Sequence, residues 1–131
     1  MRERGFLEEA STVKDIIDQK AGQEIFHCTP DQEIHIVLNL MKDHDLSQLP
    51  VMADGKWVGG ITENRLLEGV MSPEKNSKVQ DIMGPPFPVV EMTTPLTQLR
   101  RYINKETPAV ITKDKKGDWQ IITNYDIIQA L

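Results

Sequence analysis

Apolar residues between positions 31 and 43 recur at the spacing of one helix face. They are Ile34, Val37, Leu38 and Met41. Thr29 suits the N-cap of this helix, Pro30 its first helical position, and Gln32 completes a capping box. The pattern therefore predicts an amphipathic helix over 31–43 with a well-marked start.

Two strands are predicted next, over Leu49–Ala53 and Lys56–Thr62. Asp54-Gly55 between them is a strong signal for a tight hairpin, since both residues tolerate a positive φ. Three further elements complete the first half of the chain. They are a helix over Val13–Gln19, a strand over Glu24–Cys28 and a helix over Asn64–Val70.

The second half repeats this order of elements. The predicted elements are a helix over Val79–Met83, a strand over Phe87–Val90, a helix over Leu96–Asn104, strands over Pro108–Lys113 and Trp119–Thr123, and a helix over Asn124–Leu131. The second hairpin turns at Lys116-Gly117. Residues 1–10 are predicted as an N-terminal linker, 11–70 as the first repeat, 71–77 as a polar linker and 78–131 as the second repeat.

Short motifs recur in the same order and support a duplicated unit. Thr12-Val-Lys-Asp-Ile-Ile17 returns as Lys78-Val-Gln-Asp-Ile-Met83, and Thr29-Pro30 returns as Thr94-Pro95. Duplicated units usually pack as a pseudo-symmetric pair, and their seam forms two related clefts. The seam is therefore where a ligand site is expected.

Composition narrows the class of protein. A formal charge of −5 argues against bulk binding to nucleic acid or to anionic membranes. No apolar run reaches the length of a membrane span. Cys28 is the single cysteine, so no internal disulfide can form, which is typical of a reducing cytoplasm. The scattered histidines and Cys28 lack the spacing of metal ligands, and no metal site is predicted.

Thr123 and Asp126 are the best candidates for ligand chemistry. Thr123 lies where the last predicted strand becomes the last helix, and the first amides of that helix can receive a phosphate or a ribose. Asp126 lies one turn on, and its carboxylate can accept hydrogen bonds from two ribose hydroxyls. A threonine followed three residues later by an acid is also a capping arrangement that needs no ligand. Both interpretations remain open on the sequence alone.

The order of elements and the repeated motifs resemble the CBS-domain pair, also called a Bateman module. The resemblance covers about residues 11–131 and implies a mixed α/β (α+β) fold of two pseudo-symmetric βαββα-type repeats. The family motif has a glycine, one or two apolar residues, a threonine, and an aspartate three positions later. Ile121-Ile-Thr-Asn-Tyr-Asp126 fits it, with Gln120 in place of glycine. In the family, the matching threonine and aspartate bind the ribose of adenosyl ligands.

The resemblance also implies the remaining site residues. Ile121 and Tyr125 would flank the ribose and base, and the adenine pocket would be lined from the opposite half by Phe26, Leu46, Ser47 and Gln48. For Phe26, Leu46, Ile121 and Tyr125, ordinary core packing is the competing interpretation. The related cleft would use Thr62 and Arg65, but a guanidinium has only donors and cannot accept from a ribose. That cleft is expected to be empty or to take a more anionic ligand, unless Arg65 is simply a surface arginine.

A closer resemblance is to the C-terminal regulatory region of bacterial cystathionine β-synthase-like enzymes. It rests on Ser47-Gln-Leu-Pro-Val51 and Trp57-Val-Gly-Gly-Ile-Thr-Glu63, and Met1-Arg-Glu-Arg-Gly-Phe-Leu7 is similar to their interdomain linker. It implies a non-catalytic module that senses S-adenosylmethionine or AMP/ATP as an effector. This module would control a pyridoxal-phosphate-dependent catalytic domain that this chain does not contain.

Two other functions are considered. One is an architectural dimerisation module with degenerate, ligand-free clefts, which Arg65 and Gln120 favour. The other is a stand-alone enzyme, which the missing nucleophile–base pair and phosphate loop disfavour. A homodimer is expected because the short helices carry more apolar residues than small halves can bury. These are Leu66, Leu67, Val70, Ile127, Ile128 and Leu131.

Overall fold

The computed structural model describes residues 11–20, 25–75 and 77–130. The predicted linker 1–10, Glu24 and Leu131 lie outside these ranges. The helices are α1 (Val13–Gln19), α2 (Ile34–Asp43), α3 (Glu63–Met71), α4 (Val79–Ile82), a 3₁₀ helix (Leu96–Arg101) and α5 (Asn124–Ala130). The strands are β1 (Gln48–Ala53), β2 (Lys56–Thr62), β3 (Ala109–Lys113) and β4 (Trp119–Thr123). The predicted α+β fold class is confirmed.

The chain folds as two compact units, and the first helix of each sequence repeat belongs to the unit formed mainly by the other repeat. The terminal unit comprises Met1–Ile25 and Pro88–Leu131, and the central unit is Phe26–Phe87. Thus α1 lies within the first repeat of the sequence but belongs to the terminal unit, where the amide of Val13 donates to the carbonyl of Thr94 at 2.9 Å. In the same way α4 belongs to the central unit. The ranges 11–70 and 78–131 describe the repeat in the sequence, and as domain boundaries they remain a prediction.

Among the described residues, each unit contains one antiparallel hairpin. In the central unit β1 pairs with β2, with Gln48 opposite Thr62 and Ala53 opposite Lys56. Asp54 and Gly55 have φ of 52° and 77°, so both turn residues lie in the left-handed region, as the hairpin prediction requires. In the terminal unit β3 pairs with β4, with Ala109 opposite Thr123. Both hairpin predictions are confirmed.

Two further strands, predicted over Glu24–Cys28 and Phe87–Val90, are each reduced to a single β-bridge in the described residues. Cys28 forms a single parallel bridge with Val51, and Val89 a single parallel bridge with Ile111. The second segment is rich in proline, and Pro86 and Pro88 have no amide hydrogen to donate to a ladder. Each segment therefore runs beside its hairpin without becoming a strand.

The predicted start of the helix over 31–43 is also wrong, because α2 begins at Ile34 with Glu33 as its N-cap. The amide of Thr29 does donate to Gln32 Oε1 at 2.8 Å, so half of the capping box exists. The carbonyls of Pro30 and Gln32, however, accept from Gln80 and Val79 of α4. This tertiary pairing engages the backbone that a longer helix would need.

The helix predicted over Leu96–Asn104 is shorter and of a different type. Residues Leu96–Arg101 form a 3₁₀ helix, in which Gln98 donates to the carbonyl of Pro95 and Tyr102 to that of Leu99. Leu96 and Leu99 are both buried. A spacing of three residues fits a 3₁₀ helix as well as one face of an α-helix, so apolar periodicity alone could not separate them.

Each unit has its own apolar core. The central core includes Cys28, Ile34, Val37, Leu49, Val51 and Ile61, and the terminal core includes Val13, Ile16, Leu99, Val110 and Ile122. The predicted helix face is confirmed, with Ile34, Val37 and Met41 buried and Leu38 partly buried against them. None of the helices in the described ranges combines the length and apolar character needed to cross a bilayer.

Burial makes Cys28 a testable marker of the central core. Its side chain is 2% exposed, and desolvation raises the pKa of the thiol to about 12. Because the thiolate is the reactive form, we expect iodoacetamide at about pH 8 to leave Cys28 unmodified in the native protein. Mass spectrometry should find full alkylation only after denaturation. Rapid alkylation of the native chain would contradict this burial.

Candidate functional site

Thr123 and Asp126 meet at the junction of β4 and α5. Thr123 is the last residue of β4, and its amide donates to Asp126 Oδ2 at 2.9 Å. Its hydroxyl donates to the same oxygen at 3.1 Å, and it accepts from the amide of Asp126 at 3.3 Å. This is the reciprocal capping arrangement that the sequence left open beside ligand binding.

Lys20, which sequence reasoning missed, also binds Asp126. Its Nζ lies 2.8 Å from Asp126 Oδ2 and also donates to the carbonyl of Ile121. The two side chains are only 13% and 16% exposed, so water screens the pair less than a surface ion pair. Lys20 follows α1 and is 106 residues from Asp126 in the sequence. No local motif links them.

Within the part of the chain that the structure describes, three hydrogen bonds reach the Asp126 carboxylate, and all of them end on Oδ2. A carboxylate has about four lone-pair sites on two oxygens, so Oδ1 keeps its capacity to accept. Lys20 balances the negative charge, and the amide and hydroxyl of Thr123 orient the group. The junction thus presents an oriented acceptor whose charge is already compensated.

Ile121 and Tyr125 lie on either side of this junction. Ile121 is in β4, is partly buried, and contributes the carbonyl that Lys20 binds. Tyr125 is in the first turn of α5 and is 68% exposed, so it is not a core residue. The structure therefore brings Thr123, Asp126 and Ile121 together with Lys20, while Tyr125 stands at the surface beside them.

The other four candidates belong to the central unit. Phe26 packs against the core, and its ring lies 4.2 Å from that of His44 between centroids. Leu46 also packs against that core, Ser47 is exposed, and Gln48 begins β1 opposite Thr62. Core packing, the competing interpretation for Phe26 and Leu46, is thus present. A role for these four residues in an adenine pocket remains a prediction.

Comparison with known families gives a match over the first half of the sequence. Residues 12–72 match the family model of the CBS domain. A CBS domain lies in the first half of this chain. The matched range includes Thr62 and Arg65, whereas Thr123 and Asp126 lie beyond it.

Solved structures with CBS domains have the same fold as the whole chain. CBSX2 in complex with AMP is 23% identical, with a TM-score of 0.67 over 91% of this chain and 94% of CBSX2. The CBS-domain protein ATU1752 of Agrobacterium tumefaciens is 21% identical, with a TM-score of 0.76 over 99% and 98% of the two chains. The CBS domain pair of protein MJ0100, in complex with 5′-methylthioadenosine and S-adenosyl-L-methionine, is 19% identical, with a TM-score of 0.70 over 92% and 95%. A search of curated proteins found no match.

In the CBS domain of residues 12–72, Thr62 and Arg65 occupy the positions that correspond to Thr123 and Asp126. Thr62 Oγ1 accepts from the amide of Arg65 at 3.3 Å, so the threonine caps α3. The guanidinium donates Nη1 to the carbonyl of Ile82 at 3.3 Å. It also lies against Gly84, where an added Cβ would be 2.5 Å from Arg65 Nε.

Arg65 is therefore a partly buried residue that packs within the central unit, and its role in the related cleft stays a prediction. Its five donors cannot replace the acceptor that Asp126 provides.

Among the residues that the structure describes, no group of three or more His, Cys, Asp or Glu side chains could hold a metal ion.

Proposed function

We propose that this chain is a regulatory module that binds an adenosyl compound, S-adenosylmethionine or AMP/ATP, at Thr123 and Asp126. The observation that carries the proposal is the oriented carboxylate of Asp126, with Oδ2 engaged and Oδ1 able to accept. Support also comes from fold relatives, since CBSX2 was solved with AMP and the MJ0100 pair with S-adenosyl-L-methionine.

The ribose is the part of the ligand that these residues recognise. Its 2′ and 3′ hydroxyls would donate to Asp126, in charge-assisted hydrogen bonds that are roughly twice as strong as neutral ones. Lys20 need not leave, because it occupies Oδ2. This recognition is common to ligands with a 5′ phosphate and with a 5′ sulfonium, so both belong in the test. Phe26, Leu46, Ser47 and Gln48 remain our candidates for contacts with the adenine.

Titration calorimetry with matched ligands tests the proposal. The panel is AMP, ATP, S-adenosylmethionine and the 2′,3′-dideoxy analogue of AMP, which lacks both hydroxyls. We expect at least one ribose-containing ligand to bind and the dideoxy analogue to bind at least tenfold more weakly than AMP if AMP binds. Equal affinity for the two would contradict recognition through Asp126.

We expect binding to saturate near one ligand per chain. Asp126 supplies an acceptor for a ribose, whereas Arg65 at the corresponding position supplies only donors and is already bound to the Ile82 carbonyl. The stoichiometry from the same titrations measures this. Two sites of equal affinity per chain would mean that Arg65 does not block the related cleft.

The protein that this module would regulate is a cystathionine β-synthase-like enzyme dependent on pyridoxal phosphate, in the cytoplasm. Support comes from the resemblance of Ser47–Val51 and Trp57–Glu63 to the regulatory region of such enzymes. Ligand binding would change the populations of two arrangements of the module and so the activity of the catalytic domain. Assay of the natural enzyme with and without the bound effector tests this regulation.

We also propose that the chain forms a homodimer. Leu67 and Ile128 are 56% and 66% exposed on α3 and α5, and apolar side chains exposed in this way are typical of an interface. Light scattering at tens of micromolar should give the mass of a dimer. A strictly monomeric mass would contradict the proposal without bearing on ligand binding.

The architectural module is the second candidate. The capping bonds and the ion pair with Lys20 satisfy Thr123 and Asp126 without any ligand. This reading expects no binding heat from any member of the panel and a dimer that forms normally. The two candidates therefore predict different binding heats in calorimetry and the same dimeric mass in light scattering.

A further inference from the structure

The ammonium of Lys20 is held at two points beside the candidate site. Its Nζ lies 2.8 Å from Asp126 Oδ2, and it also donates to the carbonyl of Ile121. Helix α1, which Lys20 follows, packs against both β4 and α5 of the same unit. A lysine side chain is a flexible four-carbon stem, and two anchors at its end fix where its charge lies. The positive charge of Lys20 is therefore a fixed part of the surroundings of Asp126.

Partial burial distinguishes this ion pair from another one in the same segment. Lys14 pairs with Asp18 along α1 at the same distance of 2.8 Å, but those side chains are 42% and 59% exposed. Water and salt screen exposed pairs strongly, and they screen partly buried charges much less. The two lysines thus carry the same charge, and only that of Lys20 acts on its neighbours with little screening.

The corresponding place in the central unit has different chemistry. Arg65 stands there at the position of Asp126, and Pro86 stands at the position of Lys20 by the offset that relates α1 to α4. Proline has no charge, and a guanidinium has only donors, so the same ion pair cannot form. The pair of Lys20 with Asp126 is therefore not something that each copy of the repeat needs in order to fold.

We infer that Lys20 determines which charge of adenosyl ligand the site accepts, and that it favours adenine nucleotides over ligands with a cationic 5′ sulfonium. This inference rests on the proposed function and adds the charge class of the ligand. The 5′ group is attached to the ribose that Asp126 would bind, so it lies at a distance on the order of 10 Å from the ion pair, comparable with the Debye length.

The sign of the effect follows from the charges that the ligand meets. With Lys20 present, the carboxylate of Asp126 is compensated, and a phosphate can approach without net repulsion. Without Lys20, the uncompensated carboxylate would repel a phosphate and attract a sulfonium. The ribose hydroxyls are the same in both kinds of ligand, so Lys20 can discriminate between ligands that Asp126 alone binds in the same way.

Titration calorimetry of Lys20→Met with three ligands tests this inference. AMP, adenosine and S-adenosylmethionine carry a negative charge, no charge and a positive charge at the 5′ end. Adenosine is the reference, because a change in the orientation of Asp126 alters its affinity and that of the other two alike. A ligand that releases too little heat is measured by competition with the tightest one.

We expect the ratio of the dissociation constant of AMP to that of S-adenosylmethionine to rise roughly tenfold in Lys20→Met. AMP should weaken relative to adenosine, and S-adenosylmethionine should strengthen relative to it. Lys20→Gln, which is neutral but can still donate to Asp126, should shift the ratio in the same direction. It provides the test if the methionine variant does not fold, which circular dichroism checks.

Two matched variants control for other effects. Lys14→Met removes the same charge from the same helix at an exposed ion pair, and it should leave the ratio within about twofold of the wild type. Lys20→Arg keeps the positive charge beside Asp126, and it should leave the ratio within about threefold.

The outcomes separate this inference from the proposed function. Affinities for all three ligands that change by the same factor in Lys20→Met and Lys20→Gln would overturn the selection by charge and leave ligand binding intact. A shift in Lys14→Met as large as that in Lys20→Met would also overturn it, since the net charge of the protein would then be the cause. A wild-type protein that binds none of the three ligands would remove the proposed function and this inference together.

Discussion

Asp126→Ala should weaken adenosyl binding by roughly 30- to 150-fold, which corresponds to about 2–3 kcal/mol. Each charge-assisted hydrogen bond between the carboxylate and a ribose hydroxyl contributes roughly 1.5–3 kcal/mol, and water recovers part of the loss. The change also removes the ion pair with Lys20 at 2.8 Å and the contacts with Thr123. We therefore expect a modest loss of stability with the fold retained. Calorimetry and circular dichroism measure the two effects.

Asp126→Asn separates the two roles of this residue. The asparagine carbonyl can still accept from the amide of Thr123 and keep α5 capped, but it carries no charge and cannot pair with Lys20. If Asp126 only caps the helix, both variants should bind the ligand as well as the wild type does. Arg65→Ala is the matched control at the corresponding position of the other repeat. It should leave the affinity within about twofold, since Arg65 bonds to Ile82 in the central unit.

Gly60→Ala should destabilise the chain by roughly 1–3 kcal/mol through overpacking of the central core. A Cβ on Gly60 would lie 2.3 Å from Cε1 of Phe87, a ring that is 1% exposed and has little room to move. Gly60 also exchanges backbone hydrogen bonds with Gly84, at 3.2 and 2.8 Å, so the strand cannot shift freely. Thermal unfolding followed by circular dichroism should give a Tm lower by roughly 5–10 °C.

Gly84→Ala is the control for this effect, because it changes the other residue of the same bridge. Its added Cβ would meet the guanidinium of Arg65, the far end of a flexible side chain that can swing away. We expect a loss of less than about 1 kcal/mol. Equal destabilisation by the two substitutions would show that the bridge backbone, and not the Phe87 ring, sets the cost.

Local chemistry allowed much of the fold to be predicted. Asp54 and Gly55 require no tertiary partner to favour a tight turn, and the structure has both in the left-handed region. Apolar spacing along α2 indicated the face that is buried. The Thr123–Asp126 contact was also predictable, since residues three apart at a helix start lie within hydrogen-bonding reach.

The secondary-structure predictions were wrong where segments far apart in the sequence form hydrogen bonds with the backbone of the predicted element. The capping signal at Thr29 was real, but pairing of Pro30 and Gln32 with α4 moved the helix start to Ile34. The segments around Cys28 and Val89 have strand-like composition, yet each makes one bridge only. The start of a helix and the length of a strand thus depend on which distant residues the fold places beside that segment. Short-range sequence patterns do not contain this information.

The sequence by itself determined the internal repeat, the two hairpins, the apolar helix faces and the pairing of Thr123 with Asp126, because each depends on residues close together in the chain. Only the tertiary structure decided the exchange of α1 and α4 between the units, the packing of Arg65 against Gly84, and the ion pair of Lys20 with Asp126. Lys20 and Asp126 are 106 residues apart, and their charges interact only after folding has brought them within 2.8 Å in a partly buried site. Coulomb attraction depends on distance in space and on the surrounding dielectric, and the order of residues along the chain specifies neither directly.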